Sequence, residues 1–452
     1  MDRDVVIVGA GVVGAAIARE LARLDLRVTL LEAGRDVGAG TSKANTALLH
    51  TGFDAKPGTL EARLVARGCE LLREYAPRVG IPLEQPGALL VAWDDEQRGD
   101  FAGIVERPQA NGYESMRELG AGELYRLEPE LGPGARGALA VPDEGLICPF
   151  TTPLAFATEA VLAGCDLRRR TALVAVERLD GGGFGLETTG GSLTTRQLVN
   201  AAGLRSDEVD RLLDRGGFTV TPRRGELIVF DKLARPLVDH IVLAVPTKVS
   251  KGVLVSPTVF GNVMVGPTAD DVERKDDTSS TEAGLAYLRE EAGRIVPALL
   301  RHEVTAVYTG LRAATEHSDF QVAFEDGYAC VGGIRSTGLS ASMAIAEHVR
   351  DGLGLGDLEP RAGLPELRMP NIGESFPRPF ARAEQIEKDP EYGRVVCFCE
   401  RVTRGEIRDA LAGPIPPVDI DGLRRRTRAH LGRCQGFFCG AQLEALLELR
   451  DA

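Results

Sequence analysis

Four of the chain's eight cysteines lie near its C-terminal end, as Cys397 with Cys399 and then Cys434 with Cys439. One residue separates the first pair, so both thiols can point to one side of an extended turn. The wider second pair suits a loop that leads into a helix. Four thiolates hold an iron–sulfur cluster or close a tetrahedral structural zinc site. The pattern predicts a metal centre, with a [2Fe-2S] cluster favoured over zinc and over an empty site.

A glycine-rich turn at the start of the chain offers a second kind of chemistry. Gly9, Gly11 and Gly14 form a GxGxxG between a strand-like apolar run and a segment with helical spacing, and Glu32 ends the next strand-like run. The glycines allow a tight turn, close approach of a pyrophosphate and helix–strand packing. The helix N-terminus attracts phosphate, and Glu32 can bind ribose hydroxyls. This context predicts a dinucleotide site.

Two later segments favour FAD over NAD as that dinucleotide. The run that ends in Ala202 and Gly203 resembles the second fingerprint of flavoproteins with this fold, and Val174 would lie beside the adenine as in that group. The segment at 332–339 resembles the third, whose backbone lies along the flavin. Its cofactor-binding candidates are Gly333, Ile334, Gly338 and Leu339.

Four side chains are candidates for the chemistry beside a flavin. To oxidise an alcohol, a base must take the hydroxyl proton while the carbon faces the flavin. His50, one of six histidines, is the leading base, with a packed core histidine as the alternative. Lys251 is a second base or anion ligand, unless it is a surface lysine. Arg312 and Arg335 are the predicted anchors of an anionic substrate, because guanidinium grips carboxylate or phosphate bidentately.

Composition restricts where these sites operate. The chain has 452 residues, is 44% hydrophobic and 26% charged, and carries a net charge of −13, which argues against general binding to nucleic acid or anionic membranes. Eight cysteines in so long a chain do not make a secreted disulfide scaffold. We find no secretory signal and no apolar stretch near the roughly 20 residues that span a bilayer. A cytoplasmic protein is expected, with peripheral contact to the inner face of the membrane left open.

The elements that position these residues predict an α/β protein. We expect a Rossmann-like FAD-binding domain with an inserted mixed or antiparallel β-sheet substrate domain, plus a small helical C-terminal [2Fe-2S] domain. The flavoprotein domain is predicted over 1–365, with FAD-binding parts near 1–75, 145–215 and 325–355. Its substrate-domain parts are 76–144 and 216–324. A proline-rich segment at 366–392 reads as a linker, and 393–452 as the metal-binding domain.

With these segments placed, residues 1–350 resemble the D-amino-acid-oxidase superfamily of flavoproteins. Within it, the segments 41–53 and 56–62 resemble glycerol-3-phosphate dehydrogenases and oxidases and L-2-hydroxyglutarate dehydrogenases, as do 251–258, 265–268 and 310–312. The resemblance implies that Thr41, Ser42 and Asn45 contact FAD. Residues 333–337 depart from it, because Arg335 stands where many glycerol-phosphate relatives have glutamate.

The tail separately resembles the bacterioferritin-associated-ferredoxin-like [2Fe-2S] domain of anaerobic glycerol-3-phosphate dehydrogenase large subunits. The two resemblances imply a dehydrogenase that passes electrons through the cluster to an acceptor or a partner subunit in a hetero-oligomer. Glycerol 3-phosphate is the first substrate, L-2-hydroxyglutarate or another 2-hydroxy acid the second, and an amino acid or amine the third. The alternative of another class is a non-catalytic FAD and Fe–S relay subunit.

Five arginines surround the second cysteine pair and have two interpretations. They could compensate the negative charge of a cluster, or they could form a solvated basic helix face. The arginines are Arg424, Arg425, Arg426, Arg428 and Arg433.

Overall fold

The computed structural model describes residues 1–245 and 252–451, so the predicted Lys251 lies outside the described residues. Its strands are β1 (Arg3–Val8), β2 (Val28–Glu32), β3 (Leu48–Leu49), β4 (Leu83–Glu84), β5 (Ala88–Ala92), β6 (Arg117–Gly120), β7 (Gly137–Val141), β8 (Gly145–Ile147), β9 (Asp166–Arg169), β10 (Leu173–Arg178), β11 (Phe184–Thr188), β12 (Gly191–Asn200), β13 (Val220–Phe230), β14 (Ile241–Ala244), β15 (Leu254–Pro257), β16 (Val263–Gly266), β17 (Asp270–Asp271), β18 (Val304–Thr315), β19 (Gln321–Glu325), β20 (Tyr328–Gly332), β21 (Val395–Cys397) and β22 (Val402–Thr403).

The α-helices connect and cover these strands. They are α1 (Val12–Ala22), α2 (Leu60–Val79), α3 (Asp95–Gly99), α4 (Phe101–Ala110), α5 (Ala121–Leu127), α6 (Thr151–Leu162), α7 (Ser206–Arg211), α8 (Glu282–Ile295), α9 (Gly338–Gly352), α10 (Ala383–Lys388), α11 (Arg404–Ala412), α12 (Ile420–Thr427) and α13 (Gly440–Asp451). Among the residues that the structure describes, no helix is long and apolar enough to cross a membrane.

The first sheet has the topology expected of a nucleotide-binding fold. Strands β20, β12, β1, β2 and β9 run parallel, while β10, β11 and β19 add antiparallel edges. Val5, Val6 and Ile7 are fully buried, because both faces of the parallel sheet are covered. Helices α1, α6 and α9 pack against Val5 and Ile7, and strand residues such as Phe184 and Leu186 of β11 pack against Val6. Helix α1 packs against α6 and α9, and α2 packs against α9. The predicted Rossmann-like α/β class is confirmed.

The second sheet is the inserted one, and its strands come from three separate stretches of chain. Its order is β17-β13-β16-β15-β14-β5-β7-β6, with β18 also paired to β13. The pairs are antiparallel except β14 with β5, so the sheet is mixed, as predicted. The long β13–β18 ladder carries Arg312 opposite Arg223, and it extends from this sheet toward the flavoprotein sheet. A small third sheet, β3-β8-β4, carries the segment that precedes His50.

The proline-rich segment predicted as a linker lies along the body of the protein. Backbone N–H groups of Met369 and Glu374 donate to the carbonyls of two body residues, Val79 and Val259. The short helix α10 and the buried ion pair of Arg378 with Glu406 then lead into the tail. The segment is therefore an attached strap, although its composition resembles that of a free linker.

The tail folds around a small apolar core of its own. Its packed side chains include Val396, Val402, Ile407 and Leu423. Helix α11 begins with a capping box, in which Thr403 and Glu406 satisfy each other's backbone N–H groups. With β21 paired to β22 and three helices, the tail is the predicted small helical domain.

One buried carboxylate joins this domain to the flavoprotein body. Asp36, in the loop after β2, is 2% exposed and binds Arg426 through both oxygens, at 2.6 and 2.8 Å, and Arg425 at 2.7 Å. Burial by itself would raise the pKa of Asp36, but Arg426 and Arg425 hold that pKa below its ordinary value. The arginines that the sequence left between cluster compensation and a solvated face thus include two that dock the domain.

Further contacts extend this interface. Arg428 is buried over the ring of Phe260 at 4.1 Å and also binds Glu400, beside Cys399, at 3.2 Å. Arg433 binds Asp231 of the body at 2.6 Å, and the side chain of Gln435 donates to the Thr305 carbonyl. The second cysteine pair is therefore held against β18 and its neighbours.

We expect Asp36→Asn to loosen the tail. Removing one partner of a buried ion pair leaves uncompensated charge and costs roughly 3–5 kcal/mol. Amide hydrogen exchange in α12, measured by mass spectrometry at neutral pH, should accelerate by at least about 10²-fold. Since the carboxylate is the stabilising form and its pKa is lowered, docking should weaken in the unmodified protein as pH falls below about 4.

The matched control is Glu303→Gln, which removes an exposed partner of Arg433 at the same interface. An exposed pair contributes about 0–1 kcal/mol, so exchange in α12 should change by less than roughly fivefold. Equal exchange in the two variants would contradict a docking role for Asp36.

Candidate active site and metal centre

The glycine-rich turn has the close contacts that a nucleotide cradle requires. Gly9 has φ +101°, and a Cβ there would lie 2.6 Å from the Ala201 carbonyl oxygen. A Cβ at Gly14 would lie 1.8 Å from the Gly9 oxygen, so neither position accepts a side chain. Glu32 accepts from the N–H groups of Ala10 at 2.9 Å and Gly34 at 2.6 Å, and burial raises its pKa. The carboxylate is fixed at the edge of the turn.

The loop predicted to contact FAD lies directly over this turn. The Ser42 hydroxyl accepts from the N–H of Val12 at 2.9 Å, at the first turn of α1, and it faces Gly11. Thr41 donates to the Leu311 carbonyl at 3.0 Å, and Asn45 bridges the backbone of the same loop. The loop is thereby held between α1 and β18.

The later flavin segments meet the turn at the carboxyl ends of the parallel strands. Ala202 and Gly203 follow β12, and the segment of Gly333 and Ile334 follows β20. Gly338 begins α9, with Leu339 buried behind it. Ligands of open α/β sheets bind at such an edge. These residues therefore fit a dinucleotide that lies across it.

Val174, the remaining candidate for contact with FAD, lies on a strand at the end of the first sheet. It is on the outer antiparallel strand β10 and is 54% exposed. Its strand approaches Glu32 through a turn in which the N–H of Thr171 donates to the Glu32 carbonyl at 2.8 Å. This position is near Glu32, the predicted ribose ligand, and the adenine contact of Val174 stays a prediction.

His50 follows β3 and lies beside the first turn of α9. Its ring is paired with a residue that no sequence pattern indicates. Its ring Nδ1 lies 3.0 Å from Oε2 of Glu144, and its backbone N–H donates to the Ser340 hydroxyl. Glu144 is fully buried and also accepts from the N–H and hydroxyl of Thr51 at 2.7 and 2.8 Å. Glu144 follows Pro142 and Asp143, so its sequence context is that of a solvated turn and gives no signal of burial.

The two predicted anion anchors have different surroundings. Arg312 donates to the Thr268 carbonyl at 3.0 Å, and no carboxylate of the described residues lies within 4.0 Å of it. Burial, and then the charge of Arg223, lower the pKa of Arg312. Arg335 instead binds Glu61 at 2.6 Å and the Ser318 carbonyl at 2.7 Å. Arg312 is therefore the more available cation.

Gly225 makes the room that Arg312 occupies. Gly225 lies on β13, the neighbour of β18, which carries Arg312. A Cβ at Gly225 would lie 2.7 Å from Nη2 of Arg312. The position of the guanidinium thus depends on a residue with no side chain.

The tail cysteines come together in two pairs. The Cys399 thiol interacts with that of Cys434, and the Cys439 thiol with that of Cys397. Burial and the neighbouring thiols raise the pKa of Cys399, and they raise the pKa of Cys439 to about 12. Backbone N–H groups of the same loop, that of Phe438 first and then those of Gly436 and Phe437, instead lower the pKa of Cys434.

This thiol set fits a two-iron cluster, which takes four cysteines as two per iron. In the part of the chain that the structure describes, no three His, Cys, Asp or Glu side chains are arranged to hold a single metal ion. Three aromatic side chains beside the cysteines, Phe398, Phe437 and Phe438, are strongly exposed.

Two family models match the chain in the two places where these sites lie. "FAD dependent oxidoreductase" matches residues 4–351, and "BFD-like [2Fe-2S] binding domain" matches residues 395–448. The first confirms the expected flavin cofactor class and the second the expected cluster type.

Relatives with known names span most of the chain. A glycerol 3-phosphate dehydrogenase of Caloramator mitchellensis is 34% identical and aligns over 98% of this chain and 93% of its own length. The mitochondrial L-2-hydroxyglutarate dehydrogenase of Arabidopsis thaliana is 26% identical over 76% of this chain and 82% of its own.

The structure is also similar to a solved flavoprotein. The dithionite-reduced L-α-glycerophosphate oxidase of Mycoplasma pneumoniae with FAD bound has a TM-score of 0.76 and 29% identity, covering 81% of this chain and 98% of its own. With both family models matched and a relative aligned over almost its whole length, the chain belongs to the FAD-dependent oxidoreductases and carries a C-terminal BFD-like [2Fe-2S] binding domain.

Proposed function

We propose that this protein is an FAD-dependent dehydrogenase that oxidises glycerol 3-phosphate to dihydroxyacetone phosphate. The observation that carries the substrate class is Arg312, a largely buried guanidinium without a carboxylate partner among the described residues. A phosphate dianion would offset the unfavourable burial of that charge. The named function of the Caloramator relative, which aligns over both domains, favours glycerol 3-phosphate among such anions.

Different residues bind the cofactor, bind the substrate and accept the proton in this proposal. Bound FAD supplies the hydride acceptor, and the Gly9–Gly14 turn, Glu32, Ser42 and the start of α9 would hold it. Arg312 binds the phosphate and orients the secondary alcohol. His50 takes the hydroxyl proton as the carbon–hydrogen bond breaks, so the carbonyl forms with no net change of charge on the substrate. Lys251 stays a candidate anion ligand outside the described residues.

Arg335 has a different role in this proposal from the one predicted for it. Its ion pair with Glu61 ties the flavin-side segment to the first turn of α2, and Thr337 binds the same carboxylate at 2.8 Å. We therefore assign Arg335 to shaping the site and Arg312 to substrate.

A 2-hydroxy acid such as L-2-hydroxyglutarate is the second candidate substrate. It also presents an anion beside a secondary alcohol, and the Arabidopsis relative is named for it. An amino acid is the third candidate, and an FAD and Fe–S relay without its own substrate is the alternative of another class. The pairing of His50 with the buried carboxylate of Glu144 weighs against the relay, since a relay needs no base.

We further propose that electrons leave through the tail. The cysteines Cys397, Cys399, Cys434 and Cys439 would hold the [2Fe-2S] cluster. Phe437 is 85% exposed beside them. The open side would receive a protein electron acceptor or partner subunit in a cytoplasmic hetero-oligomer, with peripheral membrane contact made through that partner.

The substrate is tested by anaerobic reduction of the bound flavin. The purified chain should lose its visible flavin absorbance when glycerol 3-phosphate is added. L-2-hydroxyglutarate and amino acids should bleach the flavin more slowly or not at all. Faster bleaching by an amino acid would overturn the substrate assignment. If no compound bleaches the flavin while dithionite does, the relay alternative is the better description.

Arg312→Ala should raise the KM for glycerol 3-phosphate by roughly 10–10²-fold, which corresponds to the loss of charge-assisted hydrogen bonds. Gly225→Ala should also raise the KM, because the added methyl group would displace the guanidinium of Arg312. Arg335→Ala should raise KM less than Arg312→Ala does, with FAD content as the check on folding. A larger effect at Arg335 would return the anchor role to that residue.

Metal analysis tests the tail. The protein should contain about two irons and two acid-labile sulfides per chain, and Cys434→Ser should lose them. Cys69→Ala, which removes a buried thiol of α2 far from the tail, should keep them. Zinc without iron or sulfide in the unmodified protein would refute an electron exit through this domain.

A further inference from the structure

We infer that Glu144 is the positioning residue for His50, holding the ring in one tautomer and stabilising the imidazolium that forms when His50 takes the substrate proton. The inference rests on the proposed function and adds a residue that no motif in the sequence indicated. Glu144 and His50 are 94 positions apart, and the fold alone brings them together.

The hydrogen bonds of Glu144 are divided between its two oxygens. Oε2 faces Nδ1 of His50 at 3.0 Å, while Oε1 accepts from both the N–H and the hydroxyl of Thr51. Since the carboxylate accepts from Nδ1, the Nδ1–H tautomer is favoured and Nε2 is the atom that can take a proton. Thr51, the next residue after His50, prevents the carboxylate from rotating away.

The electrostatics of the pair favour the same role. Glu144 has no exposed surface, and no Lys or Arg side chain of the described residues lies within 4.0 Å of it. Its remaining titratable neighbours are Cys69 and Arg73 from α2 and Asp143 and Tyr113 beside the β7–β8 turn. Arg73 donates to the Asp143 backbone carbonyl, and Tyr113 donates to the Asp143 carboxylate at 3.0 Å. Among the described residues, His50 is the group in direct contact with Glu144 that can become a cation.

The proton step balances within this pair. The substrate O–H bond breaks and an Nε2–H bond forms on His50; FAD, when bound, would accept the hydride of the carbon that bears this hydroxyl. Proton transfer thus turns a neutral histidine beside a carboxylate into an ion pair. Without the Glu144 carboxylate, the half-buried imidazolium of His50 would lose this stabilising neighbour.

The test is Glu144→Gln, assayed by stopped-flow anaerobic flavin reduction with glycerol 3-phosphate. The rate constant at saturating substrate should fall by roughly 10²-fold, within the range of general-base effects, with KM within a few-fold of the unmodified protein. The acidic limb of the pH–rate profile should move to lower pH, because the imidazolium loses its neighbouring charge. Taking the ratio of variant to unmodified rates cancels titration of the substrate phosphate.

Thr51→Val is the matched control, because it removes a hydrogen bond to the same carboxylate but leaves the charge in place. Its rate should fall less than about tenfold and its pH profile should not move. Glu144→Asp retains the charge and should recover part of the rate, which keeps the test usable if the glutamine variant folds poorly. Flavin content and circular dichroism report folding in each case.

A double variant separates positioning from general destabilisation. If Glu144 acts through His50, adding Glu144→Gln to His50→Ala should slow flavin reduction no further. Additive losses, or an unshifted pH profile in Glu144→Gln, would overturn the inference. If glycerol 3-phosphate fails to reduce the unmodified protein, the substrate assignment fails first, and the same comparison then uses whichever compound of the panel bleaches the flavin.

Discussion

The buried ion pair of Asp36 with Arg425 and Arg426 is the constraint on which the arrangement of the two domains depends. An isolated buried carboxylate or guanidinium is strongly unfavourable, so each group requires the other in place. Asp36 follows Glu32 in one loop, and Glu32 is the proposed ribose ligand. One short loop therefore holds the nucleotide end of the flavoprotein domain and also fixes α12, from which the chain continues into the second cysteine pair.

Pairing of buried charge also accounts for the geometry of the proposed active site. Glu144 is satisfied by His50 and Thr51, and Arg335 by Glu61. Arg312 is the exception, with a carbonyl as its hydrogen-bond partner and no carboxylate of the described residues beside it. A cation left in this condition is costly in the free protein and becomes favourable when an anion arrives. This difference, more than distance along the sequence, separates a substrate anchor from a structural arginine.

In the proposed function, the tail gives the flavoprotein domain an exit route for electrons. The glycerophosphate oxidase from Mycoplasma aligns over nearly all its own length and leaves part of this chain uncovered, whereas the Caloramator dehydrogenase aligns across both domains. Arg428 on Phe260 and Gln435 on Thr305 hold the cysteine loops against the inserted sheet. A fixed separation between flavin and cluster is what repeated single-electron transfer requires, and a flexible linker would not supply it.

Short sequence patterns were enough to predict the nucleotide turn, the metal centre and the fold class. The Gly9–Gly14 turn, Glu32 and the cysteine pairs are short patterns in which spacing dictates chemistry, and the strand and helix periods around them predicted the α/β class. Which charged side chains form pairs became clear only from the folded structure, because the partners are far apart in sequence. Glu144 resembles a turn residue, Arg425 and Arg426 resemble a basic helix face, and the strap at 366–392 resembles a free linker. The burial and ion pairing of Glu144, Arg425 and Arg426, and the contacts of the segment at 366–392, arise between parts of the chain that are far apart in sequence, so no local pattern indicates them.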